Sequence, residues 1–312
     1  MVIPEAFLES EVREGFYIPS KMKRAWGAIL LVLHEIDTVC KRHHLKWWMD
    51  FGSMLATVRH HGFIPWDDDI DIAMFREDYE AFLQFAPNEL PKEYTLYNIH
   101  NNVNCDLYFT RVCNSTVASI EPEYLERNAG FPYLGGIDLM CVDYVSPKFD
   151  RCIVELVRPV DAFADAIGNE ARLGDIPEHR DFIETIERVA ERHFDRERPL
   201  AQQLRLFCEE YITALGRGDA THASVMIAHI HRPDFQAIFP ISYYEELIDL
   251  PYEFLTVPVP LHYDEMLKKV FGNYMMPYRA GGTHEYPYYC GFEAEMMEQA
   301  GHTFFPEYLF KK

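Results

Sequence analysis

The chain has 312 residues, 48% of them hydrophobic and 14% aromatic, which is enough apolar material for a folded core and too much for a disordered segment. Its 29 Lys and Arg stand against 50 Asp and Glu, a formal net charge of −21. That balance excludes broad binding to nucleic acid or to an anionic membrane, so an anionic ligand needs a few aimed basic groups or bound cations. The opening segment MVIPEAFLESEVREGF is acidic and lacks the basic and apolar regions of a secretory leader. The longest apolar run, AWGAILLVL at 25–33, is too short to span a bilayer. Seven cysteines without a CxxC pair indicate neither a zinc knuckle nor a disulfide framework. The expectation is a soluble, cytoplasmic protein with no transmembrane segment, free to act on substrates at the inner face of the membrane.

In chain order, the spacing of Met22, Trp26, Ile29, Leu30, Leu33, Ile36 and Cys40 predicts an amphipathic helix over 20–44, capped by Ser20. The run LKWWMDF reads as a strand ending at Gly52-Ser53, and SMLATVRHH as a short helix starting there. Pro65 interrupts, 69–74 reads as a second strand and 76–86 as a helix. Strand-like runs follow at 94–99, 105–113, 115–120 and 136–145. From about 147 to 217 charged helical periodicity dominates, as in RDFIETIERVAERHF. From 236 on, the Tyr-, Pro- and Phe-rich remainder reads as short helices and loops. Strands mixed with helices and followed by a helical lobe argue for an α/β or α+β core with an appendage. The expected divisions are a catalytic core over 1–146, a helical insertion over 147–235, and a segment over 236–312 that packs back on the core.

The stretch GFIPWDDDIDIAMFREDYEAF at 62–82 concentrates the chemistry. Four aspartates fall in five positions, and like charges that close destabilise a fold unless something neutralises them. In an extended chain, Asp67, Asp69 and Asp71 share one face while Asp68, Ile70 and Ile72 take the other. Same-face Cβ atoms roughly 6.5–7 Å apart let carboxylates converge on one cation, or on two about 3.5–4 Å apart. Oxygen-only donors select Mg²⁺ or Mn²⁺ over zinc.

Three other readings fit the run less well. A solvated acidic loop does not explain the alternating isoleucines. A calcium loop of the EF-hand type wants Gly where the chain has Ile72, and Glu where it has Asp78. A glycosidase pair would flank the scissile bond rather than sit two residues apart on one strand.

Other residues suit a phosphate-handling site. Gly52-Ser53, where a strand turns into a helix, offers free N–H groups and a helix dipole to an anion. Arg59 can fork a phosphate or pair with an aspartate, and spacing leaves both open. Asp138, between Ile137 and Leu139 on a later strand, is a costly charge to bury without a partner. It is a candidate third carboxylate, able to ligate metal and to accept a hydroxyl proton.

A strand, Gly-Ser, a short helix, then Asp69-Ile70-Asp71-Ile72 and a later strand Asp together resemble the nucleotidyltransferase superfamily. More narrowly, GSMLATVRHHGFIPWDDDIDIAMFREDYEAF resembles the signature of the LicD family of phosphocholine transferases, usually close to GTLLGAVRHxGFIPWDDDIDIxMxRxDYE. Upstream, KMKRAWGAILLVLHEIDTVCKRHHLKWW is similar to the family's leading helix and first strand. Downstream, GGIDLMCVDYV resembles its IDxFPLD strand, which supports Asp138 and makes Asp143 a second-rank candidate. LTVPVPLHYDEMLKKVFGNYMMP is similar to a C-terminal family element. The likeness covers roughly 20–145 and 236–285. Ser53 stands for the usual Thr, Ala56 for Gly, Tyr252-Glu253-Phe254 for Phe-Glu-Gly, and Asn273 for Asp.

The resemblance implies an α+β fold, a nucleotidyltransferase-like mixed β-sheet core flanked by helices with a helical insertion. It implies transfer of phosphocholine, or a related phospho-alcohol, from CDP-choline or another CDP-alcohol to a hydroxyl of a cell-surface glycan or its lipid-linked precursor. Carried over, Asp69, Asp71 and Asp138 hold Mg²⁺ or Mn²⁺. Gly52, Ser53 and Arg59 hold the phosphates, with Arg111 and His284 as further phosphate contacts. Asp138, or else His60, takes the proton. Trp66, Trp47, Trp48 or the tyrosines at 286–289 face a quaternary ammonium. Two rival functions share these residues: transfer of a nucleoside monophosphate to the acceptor, and a catalytically silent binding or scaffold protein.

Overall fold

A computed structural model describes residues 1–146, 153–168, 177–215, 218, 220–225 and 237–277. The architecture is mixed α+β, as expected. Two compact units make it up: residues 1–96, 110–141 and the segment from 242, and residues 97–109 with 142–241.

In the first unit, helix α1 (Ser20–His43) buries every residue of the expected apolar stripe. Ser20 does not cap it. Pro19 is the extended N-cap, and its carbonyl accepts from the N–H groups of Met22 and Lys23. Ser20 is already helical, one position too late to cap, and its hydroxyl donates to Leu8 O at 2.7 Å. Lys41, Arg42 and His43 in the last turn complement the helix dipole, and His44 closes the helix at φ 57°.

Ahead of α1, β1 (Glu11–Arg13) pairs antiparallel with β2 (Phe16–Ile18); after it come β3 (Trp48–Met49), α2 (Phe51–His60), β4 (Asp71–Phe75), α3 (Arg76–Glu89), β5 (Thr95–Tyr97), β6 (Thr110–Cys113), α4 (Pro122–Arg127) and β7 (Gly136–Val145). Sheet order is β3-β4-β7-β6-β5, with β3 antiparallel to β4 and β6 antiparallel to β7. The acidic strand β4 therefore lies between Trp48-Met49 and the strand that carries Asp138. The strand expected at 115–120 does not form, because the Ser115 hydroxyl closes a local turn on Val117 N–H and C=O, both at 3.0 Å.

Where short helices and loops were expected from 236, the chain builds an antiparallel hairpin, β10 (Leu247–Tyr252) with β11 (Leu255–Pro260), followed by α8 (Tyr263–Phe271). Pro251, Pro258 and Pro260 argue against a sheet interior. They are tolerated here because both strands of a two-stranded ribbon are edges.

The second unit holds α5 (Arg158–Ile167), α6 (Pro177–Ala190) and α7 (Leu200–Leu215), with the latter half of β7 paired to β8 (His222–Val225) and β8 to β9 (Ile238–Pro240). Its apolar core includes Val160, Ala164, Leu204, Cys208 and Ile212. Two buried polar pairs lie there: Tyr108 donates to Asp161 at 2.6 Å and Arg205 to Asp165 at 2.7 Å. Among the described residues no helix is long and apolar enough to cross a membrane.

Candidate functional site: an acidic cluster at the start of a helix

Asp50 links β3 to α2. Its N–H donates to Asp71 O at 3.1 Å, tying the two strands, and its carboxylate caps α2 by accepting from Phe51 N–H at 2.9 Å. Phe51 then takes φ 43°, in the left-handed region that costs a Cβ-bearing residue free energy. Ser53 stands one turn in, buried, and its hydroxyl accepts from Asp71 N–H at 2.8 Å. The first turn of α2 is thus fastened directly to the head of β4.

The acidic run enters β4 from a turn closed by Asp67 N–H on Ile64 O at 2.9 Å. The Trp26 indole N–H holds the Asp67 carbonyl at 3.0 Å, and Asp138 N–H reaches Ile70 O at 3.2 Å. Burial alternates as an extended chain requires: Asp68, Ile70 and Ile72 are buried, while Asp67, Asp69 and Asp71 are partly exposed. The strand proper begins at Asp71 rather than at 69. Ligand oxygens of Asp67, Asp68 and Asp69 lie within 4.8 Å of one another, so this triad can hold a metal ion.

Asp71 is the electrostatic centre. Burial first, then the charges of Asp69, Asp138, Asp50 and Asp67, push its carboxyl well above the usual range. Burial and Asp69 push Asp67 up to about 8. Asp50 rises to about 6 through burial, opposed by the bond from Phe51 N–H. At neutral pH Asp67 and Asp71 thus retain protons that exposed aspartates would have shed, as crowded and buried carboxylates do. A donor set made only of oxygens fits a hard divalent cation.

Asp138 finds its partner across the sheet. It stands opposite Arg111 in the β6–β7 register, and the guanidinium forks both of its carboxylate oxygens. Arg111 therefore joins the cluster through Asp138. Gly52 lies against it as well, since a Cβ there would sit 3.8 Å from Asp67 Oδ2.

Other expected residues make their contacts elsewhere. Arg59 donates to the Tyr274 carbonyl at 2.7 Å. His60 Nε2 faces the Glu14 carboxylate at 3.4 Å, with its ring edge-on to Trp66; Trp66 also meets Phe16. Trp47 is buried with its indole N–H on Asp37, and Trp48 is buried between Phe75 and Tyr244. Asp143, further along β7, is buried opposite Ser224. His284 and the tyrosines at 286–289 lie outside the described residues.

Asp50 and Tyr252 are additions that the sequence reading did not make. An Asp directly before Phe51-Gly52-Ser53 is a helix-cap signal and could have been found; Tyr252 is marked only as a departure from the family's Phe-Glu-Gly. The hairpin turn that carries Tyr252 is clamped onto the loop preceding the aspartates. Glu253 N–H donates to His61 O at 2.7 Å, and the Glu253 carboxylate accepts from Arg13 at 2.7 and 3.1 Å and from Phe63 N–H at 3.0 Å. That carboxylate leaves no room for a side chain at Gly62, where a Cβ would lie 2.3 Å from Glu253 Oε1. Gly62→Ala is therefore expected to destabilise the protein by about 1–3 kcal/mol. Urea unfolding would measure it, and an unchanged midpoint would show that Glu253 is not held.

Residues 44–128 match the family model described as LicD/FKTN/FKRP, nucleotidyltransferase domain. That stretch, about a quarter of the chain, resembles a LicD-type nucleotidyltransferase domain. The matched span contains Asp50, Asp67, Asp69, Asp71 and Arg111, and ends before Asp138. The lipopolysaccharide cholinephosphotransferase LicD of Haemophilus influenzae is 34% identical over 67 residues, 22% of this chain and 25% of that protein. An uncharacterized protein of Rickettsia prowazekii is 30% identical over 106 residues, 32% of this chain and 39% of its own. Another, of Rickettsia typhi, is 43% identical over 54 residues, 17% and 16% respectively. The homology to LicD is distant, and each match covers well under half of the relative's length.

Proposed function

We propose that the protein transfers phosphocholine, or a related phospho-alcohol, from a CDP-activated donor to a hydroxyl of a cell-surface glycan or its precursor, working at the cytoplasmic side of the membrane. The observation that supports this most is the clustering of the Asp67, Asp68 and Asp69 ligand oxygens against Gly52 in the first turn of α2, in a stretch that matches the LicD-type domain.

In this reading Asp69, Asp71 and Asp138 hold Mg²⁺ or Mn²⁺, beside Asp67. Bound there, such an ion neutralises phosphate charge and lowers the barrier to displacement at phosphorus. The first-turn N–H groups of Gly52 and Ser53 bind a phosphate oxygen at the positive end of the α2 dipole. Arg111 supplies a planar cation beside Asp138, suited to a second phosphate oxygen. Asp138 is assigned the acceptor's proton, since His60 is set against Glu14 and Trp66. Arg59, docked on Tyr274 O, shapes the end of α2.

The family description itself supports a second reading, transfer of a nucleoside monophosphate. The two differ in which phosphorus is attacked, so one reaction separates them: protein, Mg²⁺, CDP-choline and a glycan acceptor. CMP release with phosphocholine on the acceptor is expected. Free phosphocholine with a nucleotidylated acceptor would establish the second reading, and no reaction across a panel of CDP-alcohols would overturn both.

A further inference from the structure

The Tyr252 hydroxyl is a buried polar group that the described residues leave without a hydrogen-bond partner. Tyr252 is 0% exposed, and its hydroxyl has no hydrogen-bond partner among the described residues. The oxygen has one place to be. The ring packs edge-on to Phe63 at 5.3 Å, Phe63 stacks on Trp26 at 4.5 Å, and Trp26 is bonded to the Asp67 carbonyl. The next residue, Glu253, is bolted to Arg13, His61 and Phe63. A phenol oxygen lies on the ring axis, so neither a ring flip nor rotation of the O–H bond moves it. Its surroundings are acidic: after burial, the charges of Glu253, Asp67 and Asp69 hold its proton on. The group is therefore a protonated hydroxyl within electrostatic reach of Asp67 and Asp69, and it is bonded to neither.

We propose that Tyr252 is a positioning residue of the divalent-cation site, its hydroxyl donating to an oxygen that enters with the cation. The proposal rests on the reading of the aspartates as the cation's ligands. Two sources of that oxygen share the same chemistry, a hydration water of the ion or a phosphate oxygen of the donor. Asp67 and Asp69 cannot fill the role themselves, since a fully buried hydroxyl that could reach them would already be bonded.

The test is Tyr252→Phe, which removes one oxygen atom and keeps the ring packing. Calorimetric titration with Mn²⁺ alone, and with pyrophosphate at saturating Mn²⁺, separates the two sources. A hydration-water partner predicts a Mn²⁺ Kd about tenfold weaker. A phosphate partner predicts unchanged Mn²⁺ binding and pyrophosphate about tenfold weaker. In EDTA the variant is expected to melt no lower than wild type, because the deleted group has no partner there. Unchanged affinities in both titrations, or a lowered melting point in EDTA, would overturn the proposal and leave the aspartate reading intact. Wild-type protein that binds no Mn²⁺ would overturn both.

Discussion

Asp71→Asn is expected to reduce turnover by roughly a thousandfold or more, while the metal-free protein melts at or slightly above the wild-type temperature. Losing a ligand at the centre of the cluster removes several kcal/mol of charge stabilisation at the phosphorus, and each ~1.4 kcal/mol is tenfold in rate. The fold loses little. The bonds that fasten Asp71 are main-chain: its N–H to Ser53 Oγ and its C=O to Asp50 N–H. Asn keeps the volume and removes a carboxyl whose ionisation burial and then Asp69, Asp138, Asp50 and Asp67 all oppose. Relief of that crowding is worth on the order of 1 kcal/mol. Initial rates at saturating Mg²⁺, paired with a thermal scan in EDTA, give both halves of the result. Wild-type rate would remove Asp71 from the site. A clear fall in melting temperature would mean that the carboxylate holds the fold together, contrary to the repulsion described here.

The parts of this molecule that were legible in the sequence are those where a local repeat meets a single buried face. The α1 stripe and the alternation from Asp67 to Ile72 both obey that rule, so their inward residues could be named without coordinates. Long-range pairings could not. Arg111 meets Asp138 only because β6 and β7 align in one register. The reach of Arg59 to Tyr274 crosses 215 positions, so spacing could not choose between a phosphate and an aspartate, and the structure shows a third partner. Proline misled at the C-terminal hairpin, since Pro251, Pro258 and Pro260 suppress a strand assignment unless the ribbon is known to have only edges. Tyr252 lies on a hairpin whose Glu253 meets the loop before the aspartates across 190 positions, so no local pattern marks its buried hydroxyl.

The last expectation concerns pH. Asp50 at about 6, Asp67 at about 8 and Asp71, also raised, keep protons in the folded state that an unfolded chain sheds near pH ~4. With more protons bound when folded, stability is full below about pH 4 and is lost as pH rises toward 8, at up to ~1.4 kcal/mol per unit for each net proton. His60 acts in the opposite sense. Its burial, beside Arg59, lowers its pKa, so the unfolded chain binds its proton more tightly and stability from this group rises up to about pH 6.5. The lowered carboxyls of Glu11, Glu89, Glu187 and Asp264 act below the ordinary carboxylate range. Between about pH 6.5 and 8 the aspartates therefore dominate, and in EDTA the melting temperature is expected to fall across that interval. Mg²⁺ binds the ionised cluster, so its affinity grows as those same protons leave. The Mg²⁺-induced rise in melting temperature should accordingly widen from pH 6.5 to 8. Matched scans with EDTA and with saturating Mg²⁺ would measure it, and a rise of constant size would mean that the ion binds away from Asp67 and Asp71.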